Sequence, residues 1–151
     1  MRFAKLFRRV AAALAGSLLI VACSQADDQP GTAGVHAAET AAGSLDELMA
    51  AGKGIYEANC GACHQPNGKG LSGAFPPLAE SDYLLRDRED VLAVALLGLS
   101  GPITVNDQEY NGVMPSMAHL KDEDLAAALT YVFNSWGNSL AAVTPAEVTA
   151  L

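Results

Sequence analysis

The sequence predicts an all-α domain with one small β-hairpin, and three observations carry that prediction. Ser44-Leu45-Asp46-Glu47 has the form of a capping box, opening a segment of helical spacing. Aliphatic residues crowd Arg88–Leu99, the composition of a buried helix. Leu125, Ala128, Leu129, Val132, Phe133 and Trp136 recur on one helical face behind an acidic start.

In chain order, the first helix runs from its Ser44 cap through Leu48, Met49, Ala51, Ile55 and Tyr56 toward Cys60. Gln65 to Pro77 is rich in Gly and Pro and reads as a loop. Ser81–Leu85 reads as a short turn, followed by the helix over Arg88–Leu99. Ile103-Thr104-Val105 and Gln108-Glu109-Tyr110 flank Asn106-Asp107, which suggests a hairpin whose turn lacks the usual glycine. Asp122, Glu123 and Asp124 suit the positive end of the last long helix, which Gly137 is expected to terminate. Thr144-Pro145-Ala146-Glu147 repeats the capping box with Pro at the first helical position, so a short terminal helix is expected.

Ahead of this domain the composition changes twice. Met1–Arg9 holds Arg2, Lys5, Arg8 and Arg9 without an acid, and Val10–Ala22 is an apolar run of 13 residues. That order is a secretory signal over residues 1–22, too short to remain as a spanning helix, which needs about 20 apolar residues. Ile20-Val21-Ala22-Cys23 resembles the lipobox of bacterial lipoproteins, so Cys23 is expected to become an acylated N-terminus. Cleavage after Ser24-Gln25-Ala26, discarding Cys23, is the alternative. Residues 23–43 are otherwise small and polar, a tether whose r.m.s. span is about 25 Å and whose contour limit is roughly 65 Å. The expected location is the periplasmic face of a bacterial membrane, lipid-anchored, with the soluble periplasm as alternative. His36, within the tether, is assigned no role.

Charge narrows the function. The chain has 17 acidic and 9 basic side chains, a net −8. Four of those bases precede Cys23 and every acid follows it, so the chain beyond the signal carries −12. Such a chain lacks the basic surface that nucleic-acid binding requires.

One constellation carries chemistry. Cys60-Gly61-Ala62-Cys63-His64 is the C-x-x-C-H pattern of covalent c-type haem attachment. Two thiols add across the two vinyl groups on one edge of the porphyrin, and the adjacent histidine ligates the iron. A structural zinc site would need four ligands, and beyond this motif the chain offers only Cys23, His36 and His119 to complete one by Cys or His. A thioredoxin-like pair would follow a strand rather than a long helix.

Around this motif the chain resembles class I cytochromes c, over nearly all of Ser44–Trp136. Gly52 and Tyr56, eight and four residues before Cys60, match the family's helix-crossing glycine and aromatic, expected to meet Leu129, Val132 and Phe133. Gly112-Val113-Met114-Pro115 matches the loop of the sixth ligand, which implies His64 and Met114 as axial ligands, with Met117 as runner-up. His119 is expected at the surface. Phe75-Pro76-Pro77-Leu78 resembles the loop whose proline carbonyl orients the proximal histidine, most simply Pro76, with Pro77 second. Lys121 stands where the family usually has a serine cap. Segments within Leu99–Gly137 further resemble monohaem domains attached to copper nitrite reductases and cytochrome subunits of quinoprotein dehydrogenases or terminal oxidases.

The resemblance implies the class I cytochrome c fold over residues 44–151, with 138–151 as an extension, around one covalent haem c. It implies one-electron transfer between redox protein partners without a small-molecule substrate, as a monomeric carrier or a subunit of a respiratory complex. A peroxidase-like enzyme with an open iron position is the further alternative. Ala62, Val113, Pro115 and Met117 are expected to form an apolar rim at the exposed haem edge.

Overall fold

The computed structural model describes residues 44–151. The signal, Cys23 and the tether lie outside the described residues.

Helix α1 (Leu45–Asn59) starts as its sequence dictates: Ser44 Oγ accepts from the Glu47 amide and the Glu47 carboxylate accepts from the Ser44 amide. It ends at Cys60, and a single turn, α2 (Gly61–His64), carries the rest of the C-x-x-C-H motif. After the glycine loop come a 3₁₀ turn (Asp82–Leu85) and helix α3 (Arg88–Leu97). Asp87 caps α3 by accepting from the Glu89 and Asp90 amides. Helix α4 (Asp122–Phe133) packs along α1, and α5 (Pro145–Thr149) begins on the second capping box and packs on α4 and α3. Among the described residues no helix is long and apolar enough to cross a membrane.

Two antiparallel strand pairs interrupt the helices. β2 (Ile103–Val105) and β3 (Gln108–Tyr110) form the expected hairpin, with Asn106 and Asp107 supplying the left-handed turn at φ 49° and 61°. Asn106 is also clasped to the 3₁₀ turn. Its Oδ1 accepts from the Asp82 amide at 2.9 Å, and its own amide donates to Asp82 Oδ1 at 2.8 Å. β1 (Leu99–Ser100) pairs with β4 (Val113–Met114), a ladder the sequence reading did not anticipate. The helix expected to reach Leu99 therefore stops at Leu97. Gly98 turns the chain at φ 83°, and a Cβ there would lie 2.6 Å from the Met114 carbonyl oxygen.

Helix α4 also ends early, at Phe133 instead of Gly137. Trp136 takes φ 52°, which directs its ring onto Tyr56 and Tyr131, at centroid distances of 5.0 and 5.3 Å. The freed carbonyls are satisfied by other donors. Phe133 accepts from the Leu140 amide, and Val132 accepts from Asn138 Nδ2. Lys121 occupies the cap position of α4 with no side-chain bond, so the helix starts where the acids place it.

The α1–α4 crossing uses a different face from the one expected. Gly52 sits against Ala127 and Tyr131, whereas Leu129 and Val132 face the cleft described below.

The C-terminal extension is strapped to α3 by Arg88. Its guanidinium holds Glu147 through two bonds, at 2.6 and 3.3 Å, and donates to the Ala141 and Ala142 carbonyls. Arg88→Ala is expected to cost about 1–2 kcal/mol in holoprotein unfolding, the lower range for charge-assisted bonds because the pair is partly solvated. The same guanidinium holds the Glu147 carboxyl down to about 2, helped by the Thr144 hydroxyl and amide. A lowered folded-state pKa stabilises the fold above the ordinary glutamate range and loses that contribution as pH falls toward 2. Glu147→Gln is therefore expected to flatten the fall in unfolding midpoint between about pH 4.5 and about pH 2.

Candidate functional site: an apolar cleft around His64

Cys60, at the junction of α1 and α2, and Cys63 and His64 of α2 line one cleft. The loop after α2 is closed by local bonds. The Gly70 amide donates to the His64 carbonyl at 2.9 Å, and the Gly68 carbonyl accepts from the Leu78 and Ala79 amides. Tyr56, fully buried, donates its hydroxyl to the Gln65 carbonyl at 2.7 Å and fixes the chain immediately after His64.

His64 is buried, and its Nδ1 lies 3.0 Å from the Pro76 carbonyl oxygen. A carbonyl only accepts, so Nδ1 carries the proton and Nε2 keeps its lone pair. Burial pushes the imidazole pKa below its ordinary value, against the opposing effect of the Pro76 bond. The ring is thus neutral, oriented and basic at Nε2, the state a metal ligand requires. Pro76, not Pro77, is the acceptor.

Met114 is brought to the same cleft by the β1–β4 ladder, paired with Leu99. The segment after it is tied to the end of α3. Ser116 Oγ donates to the Leu96 carbonyl at 2.7 Å, and the Met117 amide donates to the Ala95 carbonyl at 3.2 Å. Sequence reasoning missed Ser116 and Gly98 as anchors of this loop. A polar residue two positions after Met114 was the available signal.

Met117 also lines the cleft but belongs to the buried core, at 8% exposure. It is therefore no part of an exposed rim, which corrects the expectation for that residue. Ala62, Val113 and Pro115 are exposed, Val113 at 74%. His119 is exposed and outside the cleft.

Burial and the neighbouring Cys63 push the Cys60 thiol up to about 11, and neither cysteine is in a disulfide. A redox pair of the thioredoxin kind needs the opposite, a lowered thiol pKa. Among the described residues no group of three His, Cys, Asp or Glu side chains is disposed to hold a metal ion.

The remaining lining is mostly aliphatic and aromatic, including Leu78, Leu84, Val91, Ala95, Leu125 and Val132, with Asn59 and Ser81 among its polar members, and contains no Asp, Glu, Lys or Arg. A haem fits this donor set: two thiols on one turn, a neutral imidazole, a thioether and apolar walls. Ser81 Oγ is buried without a hydrogen-bond partner among the described residues.

Fold and cleft together define a domain built to enclose one haem. The cytochrome c family model matches residues 49–136, more than half of the chain, and the chain belongs to that family. It is 46% identical over 101 residues to cytochrome c-552 of Thermus thermophilus, covering 64% of this chain and 68% of that protein. It is 34% identical over 92 residues to the cytochrome c subunit of a quinone alcohol dehydrogenase from Gluconobacter oxydans, but those residues span 19% of the subunit. A fructose dehydrogenase cytochrome subunit from Gluconobacter japonicus is 32% identical over 101 residues, 20% of its length. The protein is accordingly a cytochrome c electron carrier with covalently attached haem c.

Proposed function

We propose that this chain is an exported, lipid-anchored carrier that passes single electrons between respiratory proteins at the periplasmic face of a bacterial membrane. Cys60 and Cys63 would hold the haem by thioether bonds, and His64 and Met114 would ligate its iron. When bound, the haem supplies a reversible ferric/ferrous couple. The observation that carries the reading is the convergence of Cys60, Cys63, a neutral His64 and Met114 on one cleft without a charged lining residue.

Each side chain then has a task. Pro76 holds the imidazole plane and makes Nε2 a stronger donor. A thioether from Met114 favours ferrous iron more than a second imidazole would, and the apolar lining disfavours the extra ferric charge. Both raise the potential. With Met114 as a ligand, the iron would keep no open position for a substrate.

Docking follows from charge and exposure. Five basic residues after Cys23 against 17 acids cannot build a lysine ring around the haem edge. Exposed Ala62, Val113 and Pro115 support contact through a small apolar patch, and interfaces of this size exchange rapidly. A partner with a basic surface of its own would dock less well as salt rises, whereas apolar docking would not weaken.

Acylation at Cys23 and a tether over 24–43 keep the domain at the membrane. Similarity to the dehydrogenase cytochrome subunits favours a second reading, a haem subunit fixed in a larger complex. Size-exclusion of the detergent-extracted protein separates them: a mobile carrier elutes as a small species, a fixed subunit with its complex. For the anchor, Cys23→Ser is expected to release the protein from the membrane fraction and to remove the acyl mass. A wild-type protein with an unacylated N-terminus beyond Cys23 would refute the anchor.

A further inference from the structure

The last carbonyls of a helix lack intrahelical partners and must find donors elsewhere. At the end of α3 most of those donors come from the segment that carries Met114. The Gly98 amide donates to the Val94 carbonyl, and beyond it the helix depends on the distant loop. The Met117 amide donates to the Ala95 carbonyl at 3.2 Å, and Ser116 Oγ donates to the Leu96 carbonyl at 2.7 Å. The same hydroxyl oxygen accepts from the Ala118 amide at 3.1 Å, which fixes its direction.

Steric contact closes the same joint. A Cβ at Gly98 would stand 2.6 Å from the Met114 carbonyl oxygen and 2.9 Å from the Ser116 nitrogen, and Leu99 pairs with Met114 in the β1–β4 ladder. The end of α3 and residues 114–117 thus form one unit, and neither moves without breaking bonds to the other. Ser116 is exposed and does not line the cleft, so it reaches the site only through Met114. Its substitution removes a side-chain bond from the joint and leaves the backbone bonds in place.

Resting on the reading of Met114 as an iron ligand, we propose that Ser116 is a positioning residue that holds the sixth position shut. Its bond to the Leu96 carbonyl keeps Met114 at the iron, and release of that bond is part of the motion that opens the position to an outside ligand. Such a ligand binds only the open state, so its apparent affinity scales with the open fraction. The net worth of one hydrogen bond is enough to change that fraction several-fold. The open state stays a small minority with or without the bond, so the potential measured without added ligand stays near wild type.

The test is titration of ferric holoprotein with imidazole, followed by loss of the long-wavelength methionine–iron band. Ser116→Ala is expected to bind imidazole several-fold more tightly than wild type. Ser116→Thr keeps the hydroxyl and is expected to bind as wild type does. Arg88→Ala removes the Glu147 clasp at the opposite end of α3 and is expected to lower overall stability without moving the imidazole affinity. An unshifted Ser116→Ala would overturn the proposal. So would an equal shift in Ser116→Thr, which would acquit the hydroxyl, or in Arg88→Ala, which would make the effect one of general stability. Failure of the Met114 reading looks different, since the methionine–iron band would then be absent from wild type or would survive Met114→Leu.

Discussion

Met114→Leu is expected to yield a protein that still carries covalent haem but has lost the long-wavelength methionine–iron charge-transfer band and has a markedly lower potential. Leucine has nearly the same volume as methionine but offers no lone pair, so the change isolates ligation from packing. Met117→Leu is the matched control. Met117 is buried in the core, and the same swap there is expected to cost less than about 1.5 kcal/mol and to leave band and potential unchanged. The two residues lie three apart and both line the cleft, which makes the comparison demanding. Reversed outcomes would move the sixth ligand to Met117. Absorption spectra and a redox titration of the two variants decide it.

Gly52→Ala is expected to have the largest effect on the fold. A Cβ at Gly52 would stand 2.1 Å from the Ala127 carbonyl oxygen and 2.9 Å from Tyr131 Cβ. The first obstacle is backbone of α4, which cannot rotate aside, so α1 and α4 must separate. The loss is expected to be about 3 kcal/mol or more, the upper range for overpacking. Gly54, two residues later on α1, has nothing within 4 Å of its Cβ position. Gly54→Ala should therefore stabilise by roughly 0.5–1 kcal/mol, through helix propensity alone. Denaturant unfolding of the two holoproteins gives opposite signs if close approach at Gly52 is what joins the helices. Equal, small effects would mean that the crossing tolerates a side chain.

These two sites mark where the sequence was readable and where it was not. Local signals were legible: the capping boxes at Ser44 and Thr144, the hairpin turn at Asn106-Asp107 and the five-residue motif each depend on neighbours in the chain. The Pro76 acceptor was also legible, because family resemblance supplied a pairing that spacing could not. The face of α4 that meets α1 was not legible from spacing. Leu125, Ala126, Ala127 and Ala128 are all buried, so α4 is apolar most of the way round and its period does not tell the cleft side from the α1 side. Small Ala127 lies opposite Gly52, while larger Leu129 and Val132 go to the cleft.

Long-range pairing explains the other differences. The β1–β4 ladder joins residues some fourteen positions apart through only two residue pairs, too short to leave an alternation in the sequence. It ends α3 early and sets Met114 beside the cleft. Trp136 matches the helical period of α4 yet leaves the helix, its left-handed backbone setting the ring tilted against Tyr56 and edge-on to Tyr131. Tertiary packing overrode local propensity there. Arg88 opens the helix expected over Arg88–Leu99, and its role as the clasp of the C-terminal extension depends on Glu147, 59 residues away.

If His64 and Met114 both ligate the iron of one covalent haem, the site exchanges electrons and leaves no position for substrate. A spectroelectrochemical titration of the wild-type holoprotein tests it most directly. The prediction is a single reversible one-electron step at positive potential, with the ferric form showing the methionine–iron band and unchanged by added peroxide. A high-spin ferric spectrum without that band, altered on peroxide addition, would contradict it.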